Sequence, residues 1–369
     1  ESIITYVGSK PGRYIRQVTP TPSAITVRLH HSMVELPDKN YSPRSHDPRA
    51  GFYPLSFQDY SAELDESIYV RYIQRHRLEK INPSAQISRA KEPIIYYIDP
   101  GVPEPIKTAM IESGKWWNQA FESAGFKDAF QVKILPDGAH PMDIRYNMIH
   151  WVHRATRGWS YGGWISDPRT GEIIKGNVSL GSLRLRQDYL IAAGLLAPYK
   201  DKNSIPDSMR QLALARIRQL VAHEIGHTIG IQHNFLASTF DRSSVMDYPH
   251  PTLTLNSSNQ IEWKNAYDVG IGEWDKISVA YGYQDFPNNV DEDMALEEII
   301  QNGIRRGITF ITDQDSRPPG SAHPGSHLWD NGKNPTLELQ NIINIREVAL
   351  SSFGENNIRY GEPYSDLGD

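Results

Sequence analysis

The stretch VAHEIGHTIGIQHN, from Val221 to Asn234, decides the fold because it places three histidines and a glutamate on one predicted helix and the turn after it. Residues four apart lie on the same face of an α-helix, so His223 and His227 present two ring nitrogens to one ion. Gly230 tolerates a positive φ and predicts the end of the helix, after which His233 approaches from another direction. The spacing predicts a zinc ion held by three histidines, with one position open for water.

Glu224 follows the first histidine and is offset from it by about 100° around the helix. We therefore expect its carboxylate to lie beside the metal, where it holds the water and acts as general base. An ordinary solvated helix face is the alternative, and the fixed positions of Gly230 and His233 argue against it. A structural zinc site would close the fourth position with a protein ligand and has no use for this glutamate.

The composition limits the classes of protein and of metal site that are compatible with the chain. Its 369 residues are 39% apolar and 22% charged, as in folded, soluble proteins of one large or two smaller domains. The net charge of -6 predicts no nucleic-acid partner, and no apolar run is long enough to span a bilayer. The absence of cysteine excludes disulfides and thiolate zinc ligands. The first residue is Glu rather than Met, so we expect the chain to be a processed or excised part of a longer protein. The sequence does not indicate an oligomeric state.

The pattern of elements around the motif predicts an α+β fold. IIYYI, FQVKIL and MDIRYNMIHWV read as strands, and DPRTG is the turn of a β-hairpin within GWSYGGWISDPRTGEIIKGNVSL. Helices are expected at residues 104–124, from Asp207 to about Gly230, in the later part of WKNAYDVGIGEWDKISVAYGY, at 291–305 and at 336–353. We expect a twisted mixed sheet, a backing helix and the metal-binding helix. The predicted divisions are an N-terminal wrapping arm (1–92), a catalytic domain (93–290) and a helical C-terminal extension (291–369).

Met246 and Tyr248 stand in SSVMDYP, downstream of the last histidine. A loop methionine alone is usually a core residue, but this one follows HExxHxxGxxH. Here the sequence resembles the metzincin clan of zinc endopeptidases. The resemblance implies His223, His227 and His233 as zinc ligands, Glu224 as general base and Met246 as the floor of the site. It also implies a tyrosine near the metal at Tyr248, whose phenol could donate to an oxyanion; the alternative is a tyrosine that only packs under the loop.

A longer resemblance runs through RYIQRHRLEK, EPIIYYIDPGVPEPI, WWNQAFESAGF, DPRTGEIIKGNVSLGSLRLRQDYL, YDVGIGEWDK and HPGSHLWDNG. These stretches are similar to a family of bacterial zinc-dependent metalloproteases of undefined substrate. The resemblance implies a C-terminal catalytic part acting on a peptide or protein, located in the periplasm, envelope or outside the cell. A non-catalytic surface module that binds metal or peptide, and a zinc hydrolase of a non-peptide amide, are the alternatives.

The predicted hairpin supplies a candidate substrate cleft. An extended peptide could add to the arm that carries Tyr161, Gly162, Gly163 and Trp164, and the two glycines would allow close approach of backbone. An ordinary hairpin with glycine bulges is the equal alternative.

Two further segments carry candidate site residues. A C-terminal polar loop contains Asp313, Asp315, His323, His327 and Asp330, which could bind calcium or line the cleft, although such loops are usually solvated turns. Near the N-terminus, His46 or Asp47 of SPRSHDPRAG could reach the zinc in a latent form; the alternative is an arm that only covers the sheet.

Overall fold

The computed structural model describes residues 1–154, 158–200, 207–287, 289–320 and 323–368. The helices are α1 (Arg13–Val18), α2 (Ile106–Lys115), α3 (Trp117–Ser123), α4 (Ser182–Leu196), α5 (Asp207–Thr228), α6 (Glu273–Tyr283), α7 (Glu292–Arg305), α8 (Asp313–Ser316) and α9 (Pro335–Ser351). The strands are β1 (Ser2–Val7), β2 (Ala24–Leu29), β3 (Pro54–Gln58), β4 (Tyr69–Ile73), β5 (Ser88–Arg89), β6 (Ile94–Ile98), β7 (Phe126–Lys127), β8 (Phe130–Ile134), β9 (Asn147–Val152), β10 (Tyr161–Ser166), β11 (Ile173–Gly181), β12 (Thr254–Leu255) and β13 (Ile261–Glu262).

A five-stranded mixed sheet in the order β10-β11-β9-β6-β8 forms the centre of the fold. The pairs β11/β9, β9/β6 and β6/β8 are parallel, whereas β10 pairs antiparallel with β11. Asp167 and Gly171 form the predicted hairpin turn, in which the Asp167 carboxylate accepts from the Arg169 backbone N–H at 2.9 Å. The predicted α+β class and mixed sheet are confirmed, and β10 is the outer strand on its side of the described sheet.

The predicted metal-binding helix is confirmed as α5, which begins at Asp207. Its residues from Gln219 to Thr228 are all buried, because α5 packs between α2 and the sheet. Trp117 of α3 donates its indole N–H to the Ala222 carbonyl at 3.0 Å. The last carbonyl groups of a helix have no hydrogen-bond donor within the helix. In α5 the Tyr96 hydroxyl donates to the Thr228 carbonyl at 3.2 Å. These contacts hold the end of α5 rigidly in the core.

Two features of the helices differ from the prediction. The helix expected at 104–124 is divided at Trp116 into α2 and α3, and both adjacent tryptophans are buried, Trp116 at 9% exposure and Trp117 at 0%. Helix α4 was not predicted; it packs on the first half of α5. The helices expected in the later part of WKNAYDVGIGEWDKISVAYGY, at 291–305 and at 336–353 are confirmed as α6, α7 and α9.

The N-terminal arm consists of an exposed part and a part that enters the core. Strands β1 and β2 pair antiparallel within residues 1–40, most of which are exposed. From Tyr41 onward the chain turns inward, and Phe52, Ile73 and Leu78 join the hydrophobic cluster that also surrounds α5. The predicted divisions at 92 and 290 stay predictions. Among the described residues, no helix has the length and apolar character needed to cross a membrane.

Candidate metal centre

The structure brings together the three histidines of the motif. The ring nitrogens of His223, His227 and His233 that could serve as ligands all lie within 4.8 Å of one another. The Nε2 atoms of His227 and His233 are 3.2 Å apart. Within the described part of the chain, this is the only group of three or more histidines and carboxylates that could hold a metal ion. Two ligands come from α5 and the third from the segment that follows it.

Hydrogen bonds at the opposite ring nitrogens fix how the three rings face the centre. His223 Nδ1 lies 2.8 Å from the Val245 carbonyl, and His227 Nδ1 lies 2.9 Å from that of Ile231. His233 Nδ1 lies 3.0 Å from a carboxylate oxygen of Asp313. Carbonyl and carboxylate oxygens can only accept hydrogen bonds, so the Nδ1 that faces each of them carries the proton. In a neutral ring, Nε2 then keeps a lone pair that can bind a metal.

The donor set fits zinc. His223 Nε2 is buried and has no hydrogen-bond partner, which is costly unless a ligand occupies the position in front of it. Burial lowers the pKa of His223, and burial together with the charge of His233 lowers the pKa of His227 to about 3. Both rings are therefore in the neutral form that binds a metal, and three neutral imidazoles are a zinc ligand set.

Two glycines allow the chain to close around the site. Gly230 has φ +101°, and a Cβ at this position would lie 1.9 Å from the Gln74 carbonyl oxygen. Only glycine fits this reversal, which carries His233 back toward α5. A Cβ on Gly226 would lie 2.2 Å from Met246 Sδ, so the missing side chain lets the fully buried Met246 pack directly against α5. This contact places Met246 under the helix that carries two of the histidines.

Glu224 is buried next to the histidines. Burial raises the pKa of its carboxyl to about 8, while the charge of Arg216 and a hydrogen bond from the Gly162 backbone act in the opposite direction. A cation bound beside this carboxyl would lower its pKa further.

Tyr248 lies against two of the histidines. Its ring centroid is 5.2 Å from that of His223 and 4.7 Å from that of His233. Burial, followed by the charge of Glu224, raises the pKa of its phenol to about 12. The phenol therefore keeps its proton at neutral pH and can donate a hydrogen bond.

The four candidate cleft residues on β10 have different surroundings. A Cβ on Gly162 would lie 2.3 Å from the Glu224 carbonyl oxygen, so the packing of α5 on the strand explains this glycine. No atom lies within 4 Å of the corresponding position on Gly163. Trp164 donates its indole N–H to the Gln74 side-chain oxygen at 2.9 Å, and Tyr161 is 54% exposed.

Two residues near the histidines were not assigned to the zinc site from the sequence. Asp313 begins the short helix α8 and accepts from His233, although 80 residues separate them. Tyr53 lies in the N-terminal arm, with its hydroxyl 3.4 Å from His227 Nδ1 and its ring 4.9 Å from that of Trp164. A histidine ligand usually has a carboxylate or carbonyl partner, but no local sequence pattern identifies Asp313 as that partner.

The polar C-terminal loop does not form the calcium site considered above. Asp315 accepts from the Thr312 hydroxyl at 2.7 Å, and His323 Nδ1 accepts from the Gly325 N–H at 3.1 Å. Together with His327 and Asp330, they form no metal-binding group among the described residues, so calcium is not supported. Hydrogen bonds within local turns account for Asp315 and His323.

The proposed latency segment contacts its own neighbours. The Asp47 carboxylate is paired with Arg49 at 2.6 Å, and the His46 backbone N–H donates to the Arg71 carbonyl at 3.0 Å. Neither side chain belongs to the histidine group. Residues 51–53 of the same arm instead pair with residues 230–232, just beyond α5, through hydrogen bonds of 2.8 and 2.9 Å.

Comparisons with known proteins agree with this geometry. Residues 206–369 match a family model described as Met-zincin, and this range contains α5, the three histidines and Met246. Residues 1–81 match a second family model, described as a domain of unknown function (DUF5117). Neither the comparison with curated proteins nor the comparison with solved structures found a match. The resemblance to metzincins is confirmed for the C-terminal part of the chain, and the narrower bacterial family stays a prediction.

Proposed function

We propose that this chain, whose residues 206–369 match a Met-zincin family model, is a zinc-dependent endopeptidase. The observation that carries the proposal is the convergence of three histidine nitrogens, one of them buried without a partner, with the buried Glu224 between two of these histidines on α5. A site that only bound metal or peptide would have no need of a buried carboxyl next to the ligands.

Glu224 moves the proton in the proposed reaction. A zinc ion bound by the three histidines would supply Lewis-acid chemistry, lowering the pKa of a water toward about 7 and polarising the peptide carbonyl. Glu224 accepts the proton of the attacking water and then delivers it to the leaving amine. Because its carboxyl is buried, little bulk water competes for that proton.

Tyr248 stabilises the negative charge that develops on the carbonyl oxygen. Its phenol stays protonated at neutral pH, and its ring lies against His223 and His233. A donor aimed at the developing charge favours the transition state over the ground state.

Strand β10 binds the substrate in this proposal. The strand is the outermost of the described sheet and packs on α5 through Gly162. An extended peptide that adds to its free edge by main-chain hydrogen bonds would run past Glu224. Such pairing uses backbone groups, so it tolerates many substrate sequences.

The proposal is tested with a diverse peptide mixture and mass spectrometry of the new termini. The zinc-loaded protein should cut peptides internally, and chelation should stop cleavage reversibly. The Glu224→Ala variant should bind one zinc per chain and cut nothing. If neither protein cuts while both hold one zinc, the peptidase proposal is wrong and a binding role replaces it.

A further inference from the structure

A cavity of about 570 Å³ lies between α4, α5, α9 and the segment that follows Tyr248. Its walls are largely apolar, with Leu253 and Ile345 each 1% exposed. Three arginines also line it, Arg184 from α4, Arg216 from α5 and Arg346 from α9. No aspartate or glutamate is among its lining residues. The cavity therefore combines an apolar body with a positively charged lining.

Arg216 is the unusual member of this lining because it is buried without an ion pair. It is 4% exposed, its Nη1 donates to the Gln219 side-chain oxygen, and its Nε has no hydrogen-bond partner. Its guanidinium also lies over the Tyr267 ring at 5.7 Å. Among the described residues, no carboxylate forms an ion pair with it. Asp188 and Glu224 act on its charge only from a distance beyond that of an ion pair, so the cost of burying this cation is only partly offset, and an anion that enters the cavity would offset more of it.

The carboxylate of Asp188, which lies near the cavity, already forms an ion pair. Asp188 is 4% exposed and pairs with Arg184 at 2.6 Å. Arg346 is exposed and has no ion pair in the described part of the chain. Asp188 and Glu224 both act on the charge of Arg216, but neither lines the cavity, so the three arginines leave its lining with a net positive charge.

The cavity adjoins the metal centre. Trp329 lines it and stacks on Tyr248 with ring centroids 5.2 Å apart, and the Tyr248 ring in turn contacts His223 and His233. Arg216 and His223 are seven residues apart on α5, which corresponds to two turns on the same face, or about 10 Å. An extended substrate at the metal centre can place a neighbouring side chain at this distance.

We propose that the cavity is a specificity pocket for an acidic side chain, glutamate or aspartate, beside the scissile peptide bond. The apolar walls take the methylene groups and Arg216 takes the carboxylate, in a charge-assisted hydrogen bond formed by its free Nε. This inference rests on the proposed peptidase function and adds a substrate class to it.

The test uses matched peptides that differ only in Glu, Gln or Leu at each position flanking the cut. The zinc-loaded protein should cleave the Glu peptide at one flanking position with a kcat/KM at least about tenfold above that of the Gln peptide. Arg216→Met should abolish this ratio, and Arg346→Met should reduce it. Arg218→Met is the matched control, since Arg218 lies on the same helix but pairs with Glu112 outside the cavity. The control should keep the ratio.

Binding to the Glu224→Ala variant separates this inference from the peptidase proposal, because it needs no cleavage. That variant should bind the Glu peptide at least about tenfold more tightly than the Gln peptide, and adding Arg216→Met should remove the difference. Loss of cleavage in the wild type with this preference intact would refute the peptidase proposal alone. Equal binding of the Glu and Gln peptides would overturn the pocket assignment. If Arg216→Met does not fold, Arg346→Glu is used instead and should reverse the preference for the Glu peptide over the Gln peptide. An unchanged preference in that variant would likewise overturn the pocket assignment.

Discussion

Replacing Asp313 should weaken zinc binding, because its carboxylate holds the third ligand. It accepts from His233 Nδ1 at 3.0 Å, whereas His223 and His227 are held by backbone carbonyls that substitution does not remove. Loss of such a partner usually costs about 10- to 100-fold in metal affinity. Since the Asp313 side chain is 31% exposed, water can partly replace it, and we expect about tenfold, or ~1.4 kcal/mol, for Asp313→Ala.

The assay is a competition titration between the protein and a zinc indicator of known affinity. Asp313→Asn should have a smaller effect than Asp313→Ala, because its amide oxygen still accepts a hydrogen bond but carries no charge. Asp315→Asn is the control, since Asp315 contacts Thr312 in the same short helix. An affinity of Asp313→Ala within about twofold of the control would refute the assigned role of Asp313.

Three further predictions concern the helix end, a buried histidine and the phenol. Gly230→Ala should lower the free energy of unfolding in urea by more than about 1 kcal/mol, because φ at this position is +101° and the added Cβ would meet the Gln74 carbonyl. Gly194→Ala on α4 is the control and should not destabilise the fold, because no atom lies within 4 Å of its Cβ position. Burial lowers the pKa of His76 from 6.5 to about 4. As the pH falls, the His76 side chain is therefore protonated in the unfolded chain before it is protonated in the folded one. The free energy of unfolding should fall by about 3 kcal/mol between pH 6.5 and pH 4. His76→Gln should remove that part of the pH dependence, and an unchanged profile would contradict it. Tyr248→Phe should keep the zinc but lower kcat by about 100-fold; a change in KM alone would contradict the oxyanion role.

The metal centre was predictable from the sequence where its residues are local. His223, His227, Gly230 and His233 lie within a single helix and its turn, so helical periodicity and the backbone freedom of glycine were sufficient. The strands of the sheet were predicted for the same reason, because alternation and turn residues act over short distances. Asp313 was named only as a residue that could bind calcium or line the cleft, and its hydrogen bond with His233 could not be predicted, since only the tertiary fold brings the two together.

Helix α4 shows why an element can be missed. Its N-cap is Gly181, which offers no side-chain hydrogen bond, and no acidic residue stands in the first turn. Leu183, Leu190 and Ile191 are exposed although apolar, so the sequence has no clear amphipathic stripe. Packing against α5 and α9 stabilises this helix, and such packing is not visible in a local pattern.

The N-terminal arm combines an exposed part with a part that enters the core. Its first 40 residues are mostly exposed, but Phe52 and Ile73 are fully buried in the cluster around α5. Proline-rich sequence suggested a loose wrap, and the burial depends on contacts with residues 230–232 that lie far along the chain. Removal of residues 41–90 should therefore damage the site through loss of core packing.

Zinc content and peptide cleavage, measured together on three proteins, test the central claim most directly. The wild type should hold one zinc per chain and cleave peptides. Glu224→Gln should hold the same zinc and cleave at least about 1,000-fold more slowly, whereas His227→Ala should lose both zinc and cleavage. This pattern would separate the proton carrier from the metal ligands. Cleavage by Glu224→Gln at the wild-type rate, or full zinc content in His227→Ala, would contradict the account.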